Sequence, residues 1–510
     1  MLANKSDKYG AKNEKEKKIM LVPMIIGTNL EEKTERKTPP ELKIEEYFNQ
    51  LDKERPGEFG IDANGIYYLN RFVMTFYGEE KINEREVNKR INAFSTLFDT
   101  LDVLNNAGKP ELVSCDCNSN LVLIKADGIH DLMTGSEGTM RTKSGVSQAP
   151  GSDSTDQLVV VTDSGSESTR RTKSGVSGGG RDYLTWIEEE EGAGELVFKK
   201  FWKKLDKDQL NFSDVGKIVA VIDTGLDLFL SNKCNENSFK LRKNKKGSCG
   251  GKDDLVGYNF VSDNSNVFDD HGHGTSVASV FAETFGWYRD YQLMVLKAFD
   301  KTGHADSYQQ ACAIYYAIEH GADVIIASWG GLHFDPNVYL ALEEANKKGI
   351  EVFAAAGNFD FNISHADSRF YPAVHGAYSL TGYYERIDEL EHVHPVAGLS
   401  KDENDLWEDS DVYPGVLAAS GELVSTIEPS YNSNVDSVSP VEQFGFLSDV
   451  SQKLKIRGVE LAYRLKRKSG TSFSAPKVAG LYMRNGNQIP IGFKIKVNWD
   501  NEEVTVRKIE

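Results

Sequence analysis

The chain has 510 residues, 39% of them hydrophobic, and carries 59 Lys and Arg against 77 Asp and Glu, a formal charge of −18. That length supports two or three domains with a sizeable core, and the acidic balance argues against nucleic acid as the main partner. No apolar run approaches the length of a transmembrane span, and five cysteines, an odd number in so long a chain, do not suggest a disulfide framework.

Residues 1–59 are charged and poorly periodic, and Pro39-Pro40 interrupts them, so the stretch is predicted to be a tail. Within it Ile19 to Gly27 follows Lys15, Lys17 and Lys18 and faintly resembles the apolar segment of a signal peptide. Pro23 stands at its centre, however, and no small-residue cleavage site follows, so there is no clear signal peptide. From 60 to 128 the pattern becomes a strand (Tyr67 to Tyr77), a helix (Glu84 to Asn106) and two further strands (Glu111 to Cys117, Leu121 to Lys125), hence a small α+β domain. Cys115 and Cys117 would face one side of a strand, too little for a metal site without partners.

Residues 129–193 turn to Ser, Thr and Gly, and Arg141 to Ser147 recurs as Arg171 to Ser177. Such a composition buries too little apolar surface to order itself and is predicted to be a flexible linker. Cleavage at or near Arg170-Arg171 would separate the domains on either side; phosphorylation of the repeat and a plain spacer are the other readings.

From 194 to 510 short apolar runs alternate with helical patterns: Ile218 to Ile222, helix Gly274 to Phe285, Leu293 to Phe299, helix Ser307 to His320, Val324 to Trp329, helix Asn337 to Lys348, Val352 to Ala356. The alternation predicts an α/β domain, a mainly parallel sheet with helices on both faces, whose site lies beyond the carboxyl ends of the strands. Cys234 and Cys249 flank a Lys/Asn-rich loop and offer a pairing, while Cys312 in its helical pattern reads as a buried small hydrophobe.

Three blocks here carry chemistry. Asp223 ends an apolar strand, where its carboxylate would be partly desolvated, and Gly225 permits a sharp exit. His273 stands immediately before a helix, fixed at the rim of the sheet, and His271 reads as an exposed loop residue. Ser472 stands at a helix start, where the dipole favours developing negative charge and its own N–H can point at an oxyanion. Ser469, Thr471 and Ser474 are hydroxyls beside it. A hydroxyl needs an imidazole to take its proton and a carboxylate to orient that imidazole. Two rival readings are weaker. Asp-Thr-Gly also resembles an aspartic-peptidase turn, but its would-be partner, Thr162-Asp163-Ser164-Gly165, lies in the linker. Asp269, Asp270, His271 and His273 imitate a metal cluster without the helically spaced third and fourth ligands of a zinc site, so no metal is assigned.

These blocks in the order Asp, His, Ser, with Ala354-Ala355-Ala356-Gly357-Asn358 between the last two, resemble the subtilisin-like serine peptidases from Gly194 to Arg484. The resemblance picks Ser472 from its neighbours through Gly470-Thr471-Ser472-Phe473-Ser474-Ala475-Pro476. It implies a serine endopeptidase with Asp223, His273 and Ser472 as triad, Asn358 as side-chain oxyanion donor, and Ser328-Trp329-Gly330-Gly331 as the strand to which an extended polypeptide substrate adds. It further implies a zymogen whose N-terminal domain acts as folding aid or inhibitor, export from the cell, and no cofactor for the chemistry. His273 to Lys297 leaves no room for the calcium-binding loop many members insert there, so structural calcium is not assigned. An insertion separates Ser425 from Gly470. The helix opened by Ser472 is predicted to stop before Asn485-Gly486-Asn487 and Pro490, after which Phe493 to Ile509 alternates like a strand. The family continues that helix, so a second reading stands beside the first, a catalytically silent subtilisin-like module that binds peptides.

Overall fold

The computed structural model describes residues 40–62, 65–77, 111–125, 175–186, 207–233, 237–243, 255–332, 334–362, 369–376, 390–413, 415–429, 453–456, 459–462, 464–490, 492–499 and 502–509. The predicted helix Glu84 to Asn106, the signal-like run, the first copy of the repeat and the Cys234/Cys249 pair lie outside them.

The N-terminal part opens with α1 (Pro40–Glu54), followed by β1 (Phe59–Asp62), β2 (Gly65–Tyr77), β3 (Glu111–Cys115), β4 (Asn118–Lys125) and β5 (Gly175–Trp186). Two of these correct the sequence reading. Pro40 opens a helix where a tail was expected, because a proline in the first turn forfeits an N–H that has no intrahelical partner there. The helix then packs Leu51 against Phe59, Ile66, Tyr68 and Leu184. β5 lies inside the stretch predicted to be flexible and takes up the end of its repeat, Gly175 to Ser177. Its order comes from neighbours on both sides, β2 and a three-residue strand of the following domain, β11 below.

The C-terminal part contains β6 (Phe212–Ser213), β7 (Lys217–Asp223), β8 (Leu241–Arg242), β9 (Gly257–Asn259), α2 (His273–Phe285), β10 (Tyr291–Lys297), β11 (His304–Asp306), α3 (Ser307–Glu319), β12 (Val324–Ala327), α4 (Pro336–Lys347), β13 (Glu351–Ala355), β14 (Val393–Leu399) and β15 (Leu417–Ser420). The antiparallel pair β16 (Val424–Glu428) with β19 (Arg464–Lys468) brackets the hairpin of β17 (Lys453–Ile456) and β18 (Val459–Ala462). Then come α5 (Thr471–Arg484), β20 (Phe493–Trp499) and β21 (Glu502–Lys508). The large sheet runs β20-β21-β15-β14-β13-β12-β7-β10-β8-β6, with β9 also on β10, and is parallel except for the β20/β21 hairpin. The segment expected as one terminal strand is therefore two, closing the sheet beyond β15. Central strands carry continuous apolar runs, Ile218 to Ile222 in β7 and Val324 to Ala327 in β12, because helices cover both their faces. From β7 the chain goes to β10 on one side and then crosses to β12 on the other. The crevice this reversal leaves lies at the carboxyl end of β7. Among the described residues no helix is long and apolar enough to cross a membrane.

On one face α2 and α5 pack so closely that a Cβ at Gly480 would lie 2.9 Å from the Cβ of Thr284. On the other face lie α3 and α4, and against them rests the sheet β11-β5-β2-β4-β3, so Val73, Leu121 and Leu123 share one core with Ala311, Tyr315 and Val338. Polar contacts fix this docking. Arg71 of β2 donates to Asp306 Oδ2 at 3.0 Å, lies 3.8 Å from Asp182 Oδ2 and stacks over the Tyr68 ring. Thr75 Oγ1 donates to Asn337 Oδ1 at 2.8 Å. Cys115 on β3 is bonded to Cys312 on α3 across a Cα separation of 5.8 Å, so Cys312 is more than a buried hydrophobe, and Cys117 lies in the same core.

A single cut near Arg170-Arg171 falls between the two bonded cysteines. It should leave a species of full mass on a non-reducing gel that divides only when dithiothreitol is added. Division without reductant would mean that the bond is not formed in solution.

Candidate functional site

Asp223 and His273 meet because two glycines let their elements touch. Gly225 exits β7 at φ +116°, and a Cβ at Gly274, the second residue of α2, would lie 2.4 Å from the Gly225 carbonyl. His273 Nδ1 therefore sits 2.8 Å from Asp223 Oδ1 and 3.0 Å from Oδ2, with both side chains about 1% exposed. A carboxylate only accepts, so Nδ1 carries the proton and Nε2 is left as the basic nitrogen.

The turn before His273 is held by a residue the sequence reading had treated only as part of a false metal cluster. Asp269 Oδ1 accepts from the N–H groups of His271 (3.1 Å) and Gly272 (2.7 Å) and from Thr224 Oγ1 (2.8 Å). Its Oδ2 accepts from Thr275 N (2.8 Å) and Oγ1 (2.6 Å). Burial works against its ionisation, but the Lys297 ammonium and these donors outweigh burial and hold its carboxyl below the usual range. Lys297 in turn donates to the Thr224 carbonyl (2.6 Å), the Phe299 carbonyl (2.9 Å) and Asp270 Oδ1 (2.6 Å). The carboxylates of the would-be metal cluster are thus engaged in the turn itself. His271, expected to be exposed, is buried with its ring 6.4 Å from that of His273, because the Asp269 contacts pull the turn inward.

Ser472 is the second residue of α5, which starts at Thr471 after Gly470 (φ +151°). Pro476 lies inside the helix four residues after Ser472 and cannot donate to its carbonyl. That carbonyl instead accepts from Ser328 Oγ at 2.8 Å, while Ser472 Oγ donates to the Ser328 carbonyl at 3.0 Å. The hydroxyl is thus turned to β12's end, with His273 next to Ser472's neighbour Phe473, ring centroids 5.7 Å apart. Asn358 follows β13, and its Oδ1 accepts from Thr471 N and Oγ1, both at 2.9 Å. Only an oxygen can receive that backbone N–H, so the amide orientation is fixed and Nδ2 faces away from Thr471. A Cβ built at Gly470 would lie 3.6 Å from Nδ2, which places the donor beside the start of α5.

In the Ser328 to Gly331 segment Trp329 is buried against Phe299, ring centroids 5.8 Å apart. A Cβ at Gly330 would lie 2.2 Å from the Phe370 ring, and Gly331 exchanges two 2.8 Å backbone hydrogen bonds with Tyr371. Part of the strand expected to receive substrate is therefore already paired. The positioning roles of Thr224, Asp269, Lys297 and Thr471 escaped the sequence reading, since a buried Asp four residues before the His and a Lys ending a strand declare themselves only through contacts.

The subtilase family profile matches residues 214–494, more than half of the chain. Among curated proteins, the chain is 36% identical over 121 residues to a cell wall-associated protease of Bacillus subtilis, covering 22% of this chain and 12% of that protein. It is 31% identical over 170 residues to an intracellular serine protease of Paenibacillus polymyxa (31% and 47%) and 29% identical over 235 residues to a thermophilic serine proteinase of Bacillus sp. strain AK1 (44% and 50%). The chain thus spans half the length or less of these relatives. With its large parallel sheet and the matched profile taken together, the chain belongs to the subtilase family.

Proposed function

We propose that the chain is a serine endopeptidase acting on extended polypeptides, a reading carried by the Asp223–His273 pair, desolvated and 2.8 Å apart at the mouth of the crevice where α5 presents Ser472. Rotation of Ser472 about χ1 brings Oγ from the Ser328 carbonyl towards His273. Oγ attacks the scissile carbonyl as His273 Nε2 takes its proton, and Asp223 stabilises the imidazolium through Nδ1–H. The oxyanion is met by Asn358 Nδ2 and the Ser472 N–H at the positive end of α5. Collapse of the intermediate returns the proton from Nε2 to the leaving amine, leaving an acyl-Ser472 for water to hydrolyse. No cofactor enters this sequence.

The same reading gives the N-terminal domain the role of inhibitor. β5 pairs antiparallel with β11, Leu184 to Trp186 against Asp306 to His304, and so occupies a strand edge that an extended peptide would otherwise join. His304 of β11 stacks on Tyr47 of α1, ring centroids 5.0 Å apart, and burial lowers its pKa to about 4. Asp300, 3.6 Å away and partly exposed, does not offset that burial. The undocked imidazole, with an ordinary value near 6.5, binds a proton that the docked one refuses. Docking therefore keeps this contribution above about pH 6.5 and loses it as pH falls towards about 4. Asp182 and Asp306 oppose it: burial raises both carboxyls, so their contribution declines as pH rises.

A fluorophosphonate probe should label the wild type and not Ser472→Ala. Asn358→Ala should lower kcat by about 10²–10³-fold with KM little changed, the size of loss for the corresponding donor of subtilisin. Absence of labelling in folded wild type processed free of its N-terminal domain would overturn the peptidase reading in favour of a silent peptide-binding module.

In a Ser472→Ala background, which prevents self-digestion, the His304 share of the protection of the β5 and β11 amides from hydrogen exchange should be lost between about pH 6.5 and about 4, against the opposite trend of Asp182 and Asp306, once intrinsic rates are removed. His304→Asn should flatten that loss. An unchanged pH slope in the variant would exclude His304 as its source.

A further inference from the structure

Asn358 is fixed at its side chain by Thr471, but its aim also depends on the backbone that carries it, and that backbone is gripped by Asp411. Asp411 is fully buried. Its Oδ1 accepts from the N–H of Phe359 and from that of Phe361, each at 2.9 Å, and its own N–H donates to the Gly357 carbonyl at 3.0 Å. These three bonds bracket Asn358 from both chain directions. Flanking bonds extend the grip: Asp360 N–H to the Asp409 carbonyl at 3.0 Å and Val412 N–H to the Phe361 carbonyl at 2.8 Å. The approach is so close that a Cβ at Gly357, which has φ +119°, would lie 2.0 Å from Asp411 Oδ2. Turn and carboxylate are thus a matched pair in which only glycine fits.

Building on the peptidase reading, we propose that Asp411 is a positioning residue for the oxyanion site, holding the 357–361 turn so that Asn358 Nδ2 stays aimed beside Ser472. A side-chain donor stabilises a developing oxyanion only if it is already in place, and a displacement of about 1 Å in such a group costs on the order of 10²-fold in rate. Asp411 touches neither substrate nor nucleophile and acts only through Asn358.

The test is a double-mutant cycle on the full chain, with kcat divided by the fraction of sites that a fluorophosphonate labels. Asp411→Ala should lower kcat by about 10–10²-fold with KM little changed. Asp411→Asn, which keeps an oxygen at Oδ1, should recover most of it. In an Asn358→Ala background Asp411→Ala should cost almost nothing more, because the group it positions is gone. Losses that multiply in the double variant, or an unchanged kcat in Asp411→Ala, would overturn the proposal. Asp411→Ser, too short to hold both N–H groups, is run in parallel, and the same pattern is required of whichever variant unfolds as the wild type does. Failure of both to fold would assign Asp411 a purely structural role. Loss of kcat in Asn358→Ala without any in Asp411→Ala would sink this proposal and leave the peptidase reading intact.

Discussion

The contact on which the rest of this structure depends is the one between the end of β7 and the first turn of α2. Gly274 approaches the Gly225 carbonyl more closely than any side chain would permit, and only at that distance can His273 reach Asp223 with both groups out of water. Burying a carboxylate and an imidazole together is costly unless each finds its partner. The surroundings share the burden: Thr224 N–H donates to Asp223 Oδ1 at 2.7 Å, and Gly274 N–H is taken by Thr224 Oγ1 at 2.9 Å. Asp269 and Lys297 then lock the turn and the neighbouring strand around the same point. A methyl group at position 274 would therefore disturb the pair, the turn and the helix start together.

The second constraint is an edge. β11 is three residues long and stands off the parallel sheet, an unpaired strand that would invite pairing. Here β5 takes it, and with it the whole antiparallel sheet of the N-terminal part comes to rest on α3 and α4. Arg71, shared between Asp306 and Asp182, holds a place that two neighbouring carboxylates could not hold without a cation. Asp306 also caps α3 through a reciprocal pair of bonds with Gln309. Docking and the start of a helix beside the crevice are thus joined in one residue, so that loosening the first perturbs the second.

The parallel sheet was legible in the sequence because strands buried on both faces are written as unbroken apolar runs. Val219 to Ile222 and Val324 to Ala327 need no context to be read. Asp223, His273, Ser472 and Asn358 were picked out by the resemblance of their four blocks to the subtilases, and the glycines in those blocks, Gly225, Gly274, Gly357 and Gly470, are where the structure brings elements close together. β5 was not: Gly178-Gly179-Gly180 has no apolar period, and its order is supplied by β2 and β11, remote in sequence. The helix at Pro40 was hidden by a residue whose meaning depends on whether it opens a helix or interrupts one. The Cys115–Cys312 bond spans 197 residues, and no spacing rule reaches that far. His271 read as exposed because its burial follows from Asp269, whose own bonds are invisible in one dimension.

What the residues around Ser472 and Asn358 share is the use they make of backbone groups that regular structure leaves over. Pro476 deprives the Ser472 carbonyl of its helical partner, and Ser328 supplies one. The first N–H of α5 has no carbonyl to reach, and Asn358 Oδ1 takes it. The turn after β13 has no strand to pair with, and Asp411 accepts two of its N–H groups. Each such group is costly to leave bare in a buried place, and each is satisfied by only one side chain in one position. The penalty for a small displacement is therefore steep at these points and shallow elsewhere. That steepness fixes Asn358 and the backbone of Ser472 more firmly than packing alone.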